Sequence, residues 1–177
     1  GKKIHDARLA GKLVCGDFIG RIIERAIKMG ESNACMKRIV AAPTAGSCGV
    51  VPAVFITLEE EKHFTEEKMV EALYVAAGIG GVIAHRAFLA GAAGGCQAEI
   101  GTAAAMTAAG LVALKDGTPE QIGHAVAMTL KGMLGLVCDP VAGLVEIPCI
   151  KRNTMGAANA FVAAEVDLIM ANATPAL

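Results

Sequence analysis

Six cysteines are spread along the 177 residues: Cys15, Cys35, Cys48, Cys96, Cys138 and Cys149. No C-x-x-C pair occurs among them, which argues against zinc fingers and thioredoxin-type redox chemistry. Nothing in the sequence implies secretion, so a disulfide framework is not expected. Cys48, Cys96, Cys138 and Cys149 fall within three stretches rich in Gly, Pro and polar residues, at 42–49, 91–96 and 138–153. A free cysteine in a core is commonly a small hydrophobe. Three or four thiolates brought together would instead hold a soft metal or an iron–sulfur cluster. The intervals of 41 and 10 residues separating Cys96, Cys138 and Cys149 leave both readings open.

Other groups could work beside such a centre. Pro43-Thr44-Ala45-Gly46-Ser47-Cys48-Gly49 precedes an apolar run. Backbone N–H groups at a helix start, with hydroxyls nearby, suit a carboxylate. The same residues also read as an ordinary N-cap and tight turn. They are not a P-loop, since no G-K-[ST] follows. Lys151-Arg152-Asn153, just after Cys149, is either a solvated helix start or a cationic group for a substrate carboxylate. Glu99, three residues after Cys96, and Glu146, between two apolar segments, are candidates for paired buried carboxylates or proton-transfer groups. His85 reads as structural more readily than catalytic, and His5, His63 and His124 have the polar neighbours of surface residues.

The elements that must position these groups are built from unusual material. Apolar residues make up 54% of the chain, enough for a core, but aromatics only 3%. With 34 Ala and 21 Gly, the core must form by close helix approach, with Ile, Leu, Val and Met as filler. This apolar content excludes intrinsic disorder, and the aperiodic Gly excludes a collagen-like chain. A net charge of −1 argues against a nucleic-acid or anionic-membrane partner. The longest uncharged stretch, 39–58, is interrupted by Pro43, Gly46, Gly49 and Pro52, and 100–114 is short and mostly Ala, so no membrane span is expected. The opening Gly1-Lys2-Lys3-Ile4-His5 lacks the apolar run of a signal peptide, and without an initiator Met the chain is expected to begin inside a longer one or after a removed tag.

Strand signals are weak and helical periodicity is pervasive. The expected fold is therefore all-α: a single compact Ala/Gly-rich helical domain over 1–177, with buried irregular loops forming the site. Helices are expected at 13–29, with Asp17–Arg21 and Glu24–Lys28 pairs on its exposed side and Gly30 as its stop, and at 51–60, with Pro52 in the first turn. Thr65 caps a third, running to about Ala77, after which Gly78, Gly80 and Gly81 break or tighten the path before 82–89. A loop at 91–95 precedes a buried helix from Cys96 or Gln97 to Leu114. Thr118-Pro119-Glu120-Gln121 is a capping box with Pro at the first helical position, opening a helix to about Gly132. The last helix is expected from about Thr154 to Met170.

Three motifs, in order, carry a resemblance. Ala42-Pro43-Thr44-Ala45-Gly46-Ser47-Cys48-Gly49-Val50-Val51-Pro52-Ala53 resembles the signature loop of the α chain or α domain of the iron–sulfur L-serine dehydratases. Gly95-Cys96-Gln97-Ala98-Glu99-Ile100-Gly101 resembles that family's first cluster-ligand segment, and 138–149 with the following Lys151-Arg152-Asn153 resembles the segment bearing two more. The resemblance implies a [4Fe–4S] cluster on Cys96, Cys138 and Cys149 with one iron left open, no pyridoxal phosphate, and dehydration of L-serine to pyruvate and ammonia. Cys48 matches no ligand position. Thr44, Ala45, Gly46 and Ser47, with Lys151 and Arg152, are the candidates for holding substrate. The resemblance further implies a β chain or β domain and an upstream segment, neither present in this chain, that complete the site and bring a histidine base. His85 and Glu99 are the candidates for a base within the chain. An oligomer and a cytoplasmic location are expected. The rival readings are a related iron–sulfur lyase releasing sulfide from L-cysteine, and a non-catalytic helical interaction domain with structural cysteines.

Overall fold

The computed structural model of the chain describes residues 1–143 and 146–173. Seven helices account for their regular structure: α1 (Lys2–Leu9), α2 (Gly16–Ala34), α3 (Val50–Lys62), α4 (Glu66–Arg86), α5 (Gly91–Leu114), α6 (Pro119–Met133) and α7 (Glu146–Ala173). Among the described residues there is no strand, and the fold is all-α as expected.

Helix α5 is the axis. It packs against α3, α4, α6 and α7, and Ala103, Ala104, Ala105, Ala108 and Ala109 along it are wholly buried. A helix enclosed on all sides by others needs small residues all round, which is what these alanines provide. Length and composition alone would let α5 cross a membrane, yet 78% of its apolar window is buried within the fold. The side chains around it are Val50, Val54 and Phe55 from α3, Met69 and Ala72 from α4, and Ala157, Ala160 and Ala164 from α7.

Several boundaries differ from the sequence reading, each for a packing reason. Helix α4 runs unbroken through Gly78, Gly80 and Gly81. Gly80 faces α5, where a Cβ would lie 2.8 Å from the Met106 sulfur, so this glycine permits a close crossing and is not a break. Gly30 likewise lies inside α2 because Ile150 of α7 occupies the space a side chain would need. Helix α7 begins at Glu146, so 146–153 is helical and not irregular. The Thr65 cap and the Thr118–Gln121 capping box both form.

Glu24 is also not on an exposed face. Helix α1, which the periodicity does not reveal, buries no residue of its own. It is held to α2 where His5 and Arg8 meet Glu24 at 2.9 and 2.8 Å, and Arg8 meets Asp17 at 2.8 Å. Burial alone would raise the Glu24 pKa, but hydrogen bonds from Lys28, Arg8 and His5 outweigh it and bring the value down to about 2.

Candidate functional site

The site is assembled at a kink. Gly95 adopts φ 75°, ψ −173°, a region all but restricted to glycine, and so interrupts α5 after its first turn at Gly91–Gly94. The expected loop at 91–95 is thus a helical turn ended by one residue. A Cβ at Gly95 would lie 2.9 Å from Cα of Val137 and 3.0 Å from the Leu136 carbonyl oxygen, so the chain after α6 docks directly on the kink. Two hydrogen bonds fix it there: the Gln97 amide donates to the Leu136 carbonyl at 2.8 Å, and the Gly135 amide donates to Gln97 Oε1 at 2.9 Å. Cys138 is thereby carried to the N-terminal end of the long part of α5, where Cys96 lies.

Helix α7 supplies the third thiol. The Cys96 and Cys149 sulfurs are 3.8 Å apart, and a cavity of about 220 Å³ is walled by Gly91, Ala92, Cys96, Glu99, Cys138 and Cys149. Cys96 is buried, Cys149 half-buried and Cys138 exposed. Burial pushes the Cys149 thiol up to about 12, with the Cys96 sulfur the next cause and Glu99 and Cys138 acting the same way. The surroundings of this thiol therefore disfavour further negative charge. Cys15 and Cys35 are exposed and line no part of this cavity, and Cys48 is buried apart from it, its thiol donating to the Met29 carbonyl at 3.6 Å. Among the described residues, no three His, Cys, Asp or Glu side chains gather closely enough to hold a single metal ion.

Arg152 lies one turn beyond Cys149 and turns back into the site. Its Nη1 donates to the Cys96 sulfur at 3.1 Å and to the Val137 carbonyl at 2.9 Å, while Nη2 donates to Asp139 at 2.7 Å. The guanidinium thus ties α5, α7 and the 137–139 segment together through the planar fork that only Arg offers. It is not free to receive a carboxylate. Lys151 is exposed and has no ion-pair partner among the described residues.

Loop 42–49 closes the other side. Its amides are largely taken by the protein itself: Thr44 N by Ser47 Oγ at 3.3 Å, Cys48 N by the Ala45 carbonyl at 3.3 Å, Val50 N by the Ser47 carbonyl at 3.1 Å, and Gly49 N by Asn153 Oδ1 at 2.9 Å. This is the tight-turn geometry and not an open anion nest. Ser47 is wholly buried, its hydroxyl engaged with the Ala42 and Thr44 carbonyls at 3.2 and 3.3 Å, and Ala45 is exposed. Thr44 and Gly46 do border the site. The Thr44 hydroxyl donates to Glu99 Oε1 at 2.5 Å, and Gly46 lines a second cavity of about 220 Å³ together with Glu99, Cys149 and Asn153.

Asn153 is the residue whose part the sequence did not reveal. Only 1% exposed, it donates from Nδ2 to the Gly46 carbonyl at 2.9 Å and to the Cys149 carbonyl at 2.7 Å, besides accepting from Gly49. One side chain therefore fixes the loop to the thiol-bearing helix. Its position four residues after Cys149, on the same face of α7, was the available signal. His85 is exposed in the last turn of α4 and lines neither cavity, whereas Glu99 lines both. The side chain of Glu146, and all of Leu144 and Val145, lie outside the described residues. A larger cavity of about 520 Å³, walled by Phe18, Phe64, Leu111, Leu114 and Phe161 among others, lies at the opposite end of α5.

Comparisons with known proteins agree with this arrangement of motifs. The family model described as Serine dehydratase alpha chain matches residues 1–175. The probable L-serine dehydratase alpha chain of Bacillus subtilis is 52% identical over 159 residues, covering 90% of this chain and 53% of that protein. The L-serine dehydratase alpha chain of Peptoniphilus asaccharolyticus is 46% identical over 167 residues, covering 94% and 57%. L-serine dehydratase 1 of Escherichia coli is 41% identical over 144 residues, covering 81% of this chain and 32% of that protein. The chain thus spans about half the length of the first two and a third of the last.

Proposed function

Since the chain belongs to the serine dehydratase alpha chain family, we propose that it forms the cofactor-bearing part of a lyase converting L-serine to pyruvate and ammonia. The observation that carries this reading is the convergence of Cys96, Cys138 and Cys149 on one cavity, whose Glu99 and Cys149 also wall a second cavity bordered by Gly46 of the 42–49 loop. Three thiols and no imidazole form a soft, all-sulfur donor set. They ring a cavity and do not close on one point, which suits a body the size of a [4Fe–4S] cluster better than a lone ion. The residues present fit that group, with Cys96, Cys138 and Cys149 as its ligands. When bound through three thiolates, it supplies Lewis acidity to a substrate hydroxyl at the iron that has no protein ligand. Pyridoxal phosphate has no part in this reading.

The chain's own residues do the rest of the holding. Arg152 places positive charge and an N–H donor on the Cys96 sulfur, offsetting thiolate charge there. Asn153 keeps the 43–49 loop in register with Cys149, so that Thr44 and Gly46 face the substrate. Lys151 stands at the exposed side, available to a substrate carboxylate. Of the two candidates for a base within the chain, His85 lines neither cavity and Glu99 lines both, and this reading assigns proton abstraction from Cα to a histidine of the remainder of the complete enzyme, as the family resemblance implies. A β portion and an upstream segment would bring it. Exposed Val137, next to Cys138, and the exposed Val82, Phe88 and Leu134 of a separate groove between α4, α5 and α6 support a covering partner on this side of the domain.

The test uses the complete enzyme, purified without oxygen, with iron and sulfide content and pyruvate release from L-serine and from L-cysteine measured together. The reading expects about one four-iron cluster per chain, lost when Cys96, Cys138 or Cys149 becomes Ser, and pyruvate from L-serine. Preference for L-cysteine, or full activity without iron, overturns it.

A further inference from the structure

Glu99 is a half-buried carboxylate beside the thiols, with no cation paired to it among the described residues. It follows Cys96 by one turn of α5, so its carboxylate and the Cys96 thiol share a helix face. It forms a wall common to the thiol cavity and to the cavity beneath Gly46. A Cβ on Gly46 would collide with this carboxylate, and one on Gly91 would lie 2.8 Å from Oε2, so two glycines leave the room it occupies. Among the described residues its one hydrogen-bond partner is Thr44, whose hydroxyl holds Oε1 at 2.5 Å. Among the described residues it has no cationic partner: Arg152 is committed to Cys96, Val137 and Asp139. With Oε1 held by Thr44, Oε2 has no donor among the described residues and stands as an acceptor where the two cavities meet.

Resting on the function proposed above, the geometry points to Glu99 as the group that receives the α-ammonium of the amino-acid substrate. The ammonium is the one cationic group L-serine carries. Thr44 uses its hydroxyl proton on Oε1, which orients the carboxylate and leaves Oε2 as the acceptor for N–H donors of the substrate. The ammonium would then lie between Gly46, Gly91 and the thiol cavity, with the substrate hydroxyl directed toward the cluster ligands. Glu99 would in this way select 2-amino acids over hydroxy acids that have the same carboxylate and β-hydroxyl.

The test compares two probes on the complete, cluster-loaded enzyme: L-serine and 3-hydroxypropionate, which keeps the carboxylate and β-hydroxyl but has no ammonium. Binding is read from perturbation of the cluster's absorption, with iron and sulfide content measured on each variant. Glu99→Gln keeps the size of the side chain and an acceptor for Thr44 but removes the charge. The expected result is L-serine affinity reduced roughly ten- to a hundredfold, the loss of a charge-assisted hydrogen bond, with 3-hydroxypropionate affinity unchanged or improved. Glu99→Asp should restore part of the preference for L-serine. Equal weakening of both probes, or none, overturns the assignment. So does a Glu99→Gln enzyme that binds L-serine normally but does not turn it over, since Glu99 would then be the base. A wild-type enzyme that holds no cluster defeats the underlying function instead, and is distinguished by its iron content.

Discussion

Replacing Asn153 with Ala should release the 43–49 loop while leaving the helices standing. The side chain makes three hydrogen bonds at 2.7–2.9 Å and is 1% exposed, and the Gly49 amide that it holds is buried with it. Ala leaves the Gly49 amide and the Gly46 carbonyl without partners; the Cys149 carbonyl retains its own helical bond four residues on. At about 1–3 kcal/mol for each buried group left unsatisfied, the local cost is about 3 kcal/mol. That corresponds to about a hundredfold rise in the opening equilibrium of the loop. Hydrogen exchange on the complete enzyme reads it directly: amides of 45–50 should exchange about a hundredfold faster, while those of 103–112 in α5 keep their wild-type rates. Asn153→Asp retains the acceptor for Gly49 but sets a carboxylate oxygen against two carbonyls, and should loosen the loop at least as much. Wild-type exchange of 45–50 in Asn153→Ala would refute the claim that this side chain holds the loop.

Glu24 gives a pH-dependent outcome. With its folded pKa near 2 against an ordinary 4.5, its contribution of about 3 kcal/mol is complete above pH 4.5 and lost as pH falls toward 2. Exchange of the α1 amides, corrected for intrinsic rate, should rise across that window, and Glu24→Gln should raise it at least tenfold at neutral pH. Arg152→Gln removes the N–H donor from the Cys96 sulfur, so a loaded cluster should shift to a more negative reduction potential, measured by spectroelectrochemical titration. Gly95→Ala meets a forbidden φ and the Val137 backbone together, so Cys138 should be displaced and the iron bound per chain should fall well below wild type. The 177-residue chain reconstituted by itself should be coloured but nearly inactive on L-serine, because a missing base costs on the order of 10² to 10⁴ in rate.

Much of the helical order was legible because local rules were sufficient. The capping box at Thr118–Gln121 and the Thr65 cap are satisfied within four residues, and no distant contact overrides them. Glycine was the unreliable sign. Gly80 reads as a break from sequence alone and is a crossing point, because whether a glycine ends a helix or admits a neighbour depends on Met106, which is 26 residues away in the chain. Helix α1 was hidden for a different reason: it buries no residue, so it leaves no apolar period, and its place follows from ion pairs with Glu24 and Asp17 and from that of the Gly1 amine with Glu31.

The candidate site shows where motif and geometry part. The three thiols could be named from the motifs, but nothing in intervals of 41 and 10 residues says that they meet. What brings them together is one dihedral pair at Gly95, which lets the chain after α6 lie on α5, and one buried amide at Asn153, which fixes the loop to α7. Neither residue offers thiol, carboxylate or imidazole chemistry, so a search for reactive side chains passes over both. The cationic pair at 151–152 shows the reverse. Read as charges, Lys151 and Arg152 are equivalent candidates for a carboxylate. In the fold, one is exposed and the other is already bonded to a cysteine sulfur, a carbonyl and Asp139. A charge is available to substrate only after the protein's own partners are satisfied, and by that criterion Arg152 is excluded, whereas Lys151 and the carboxylate of Glu99 carry no ion pair among the described residues.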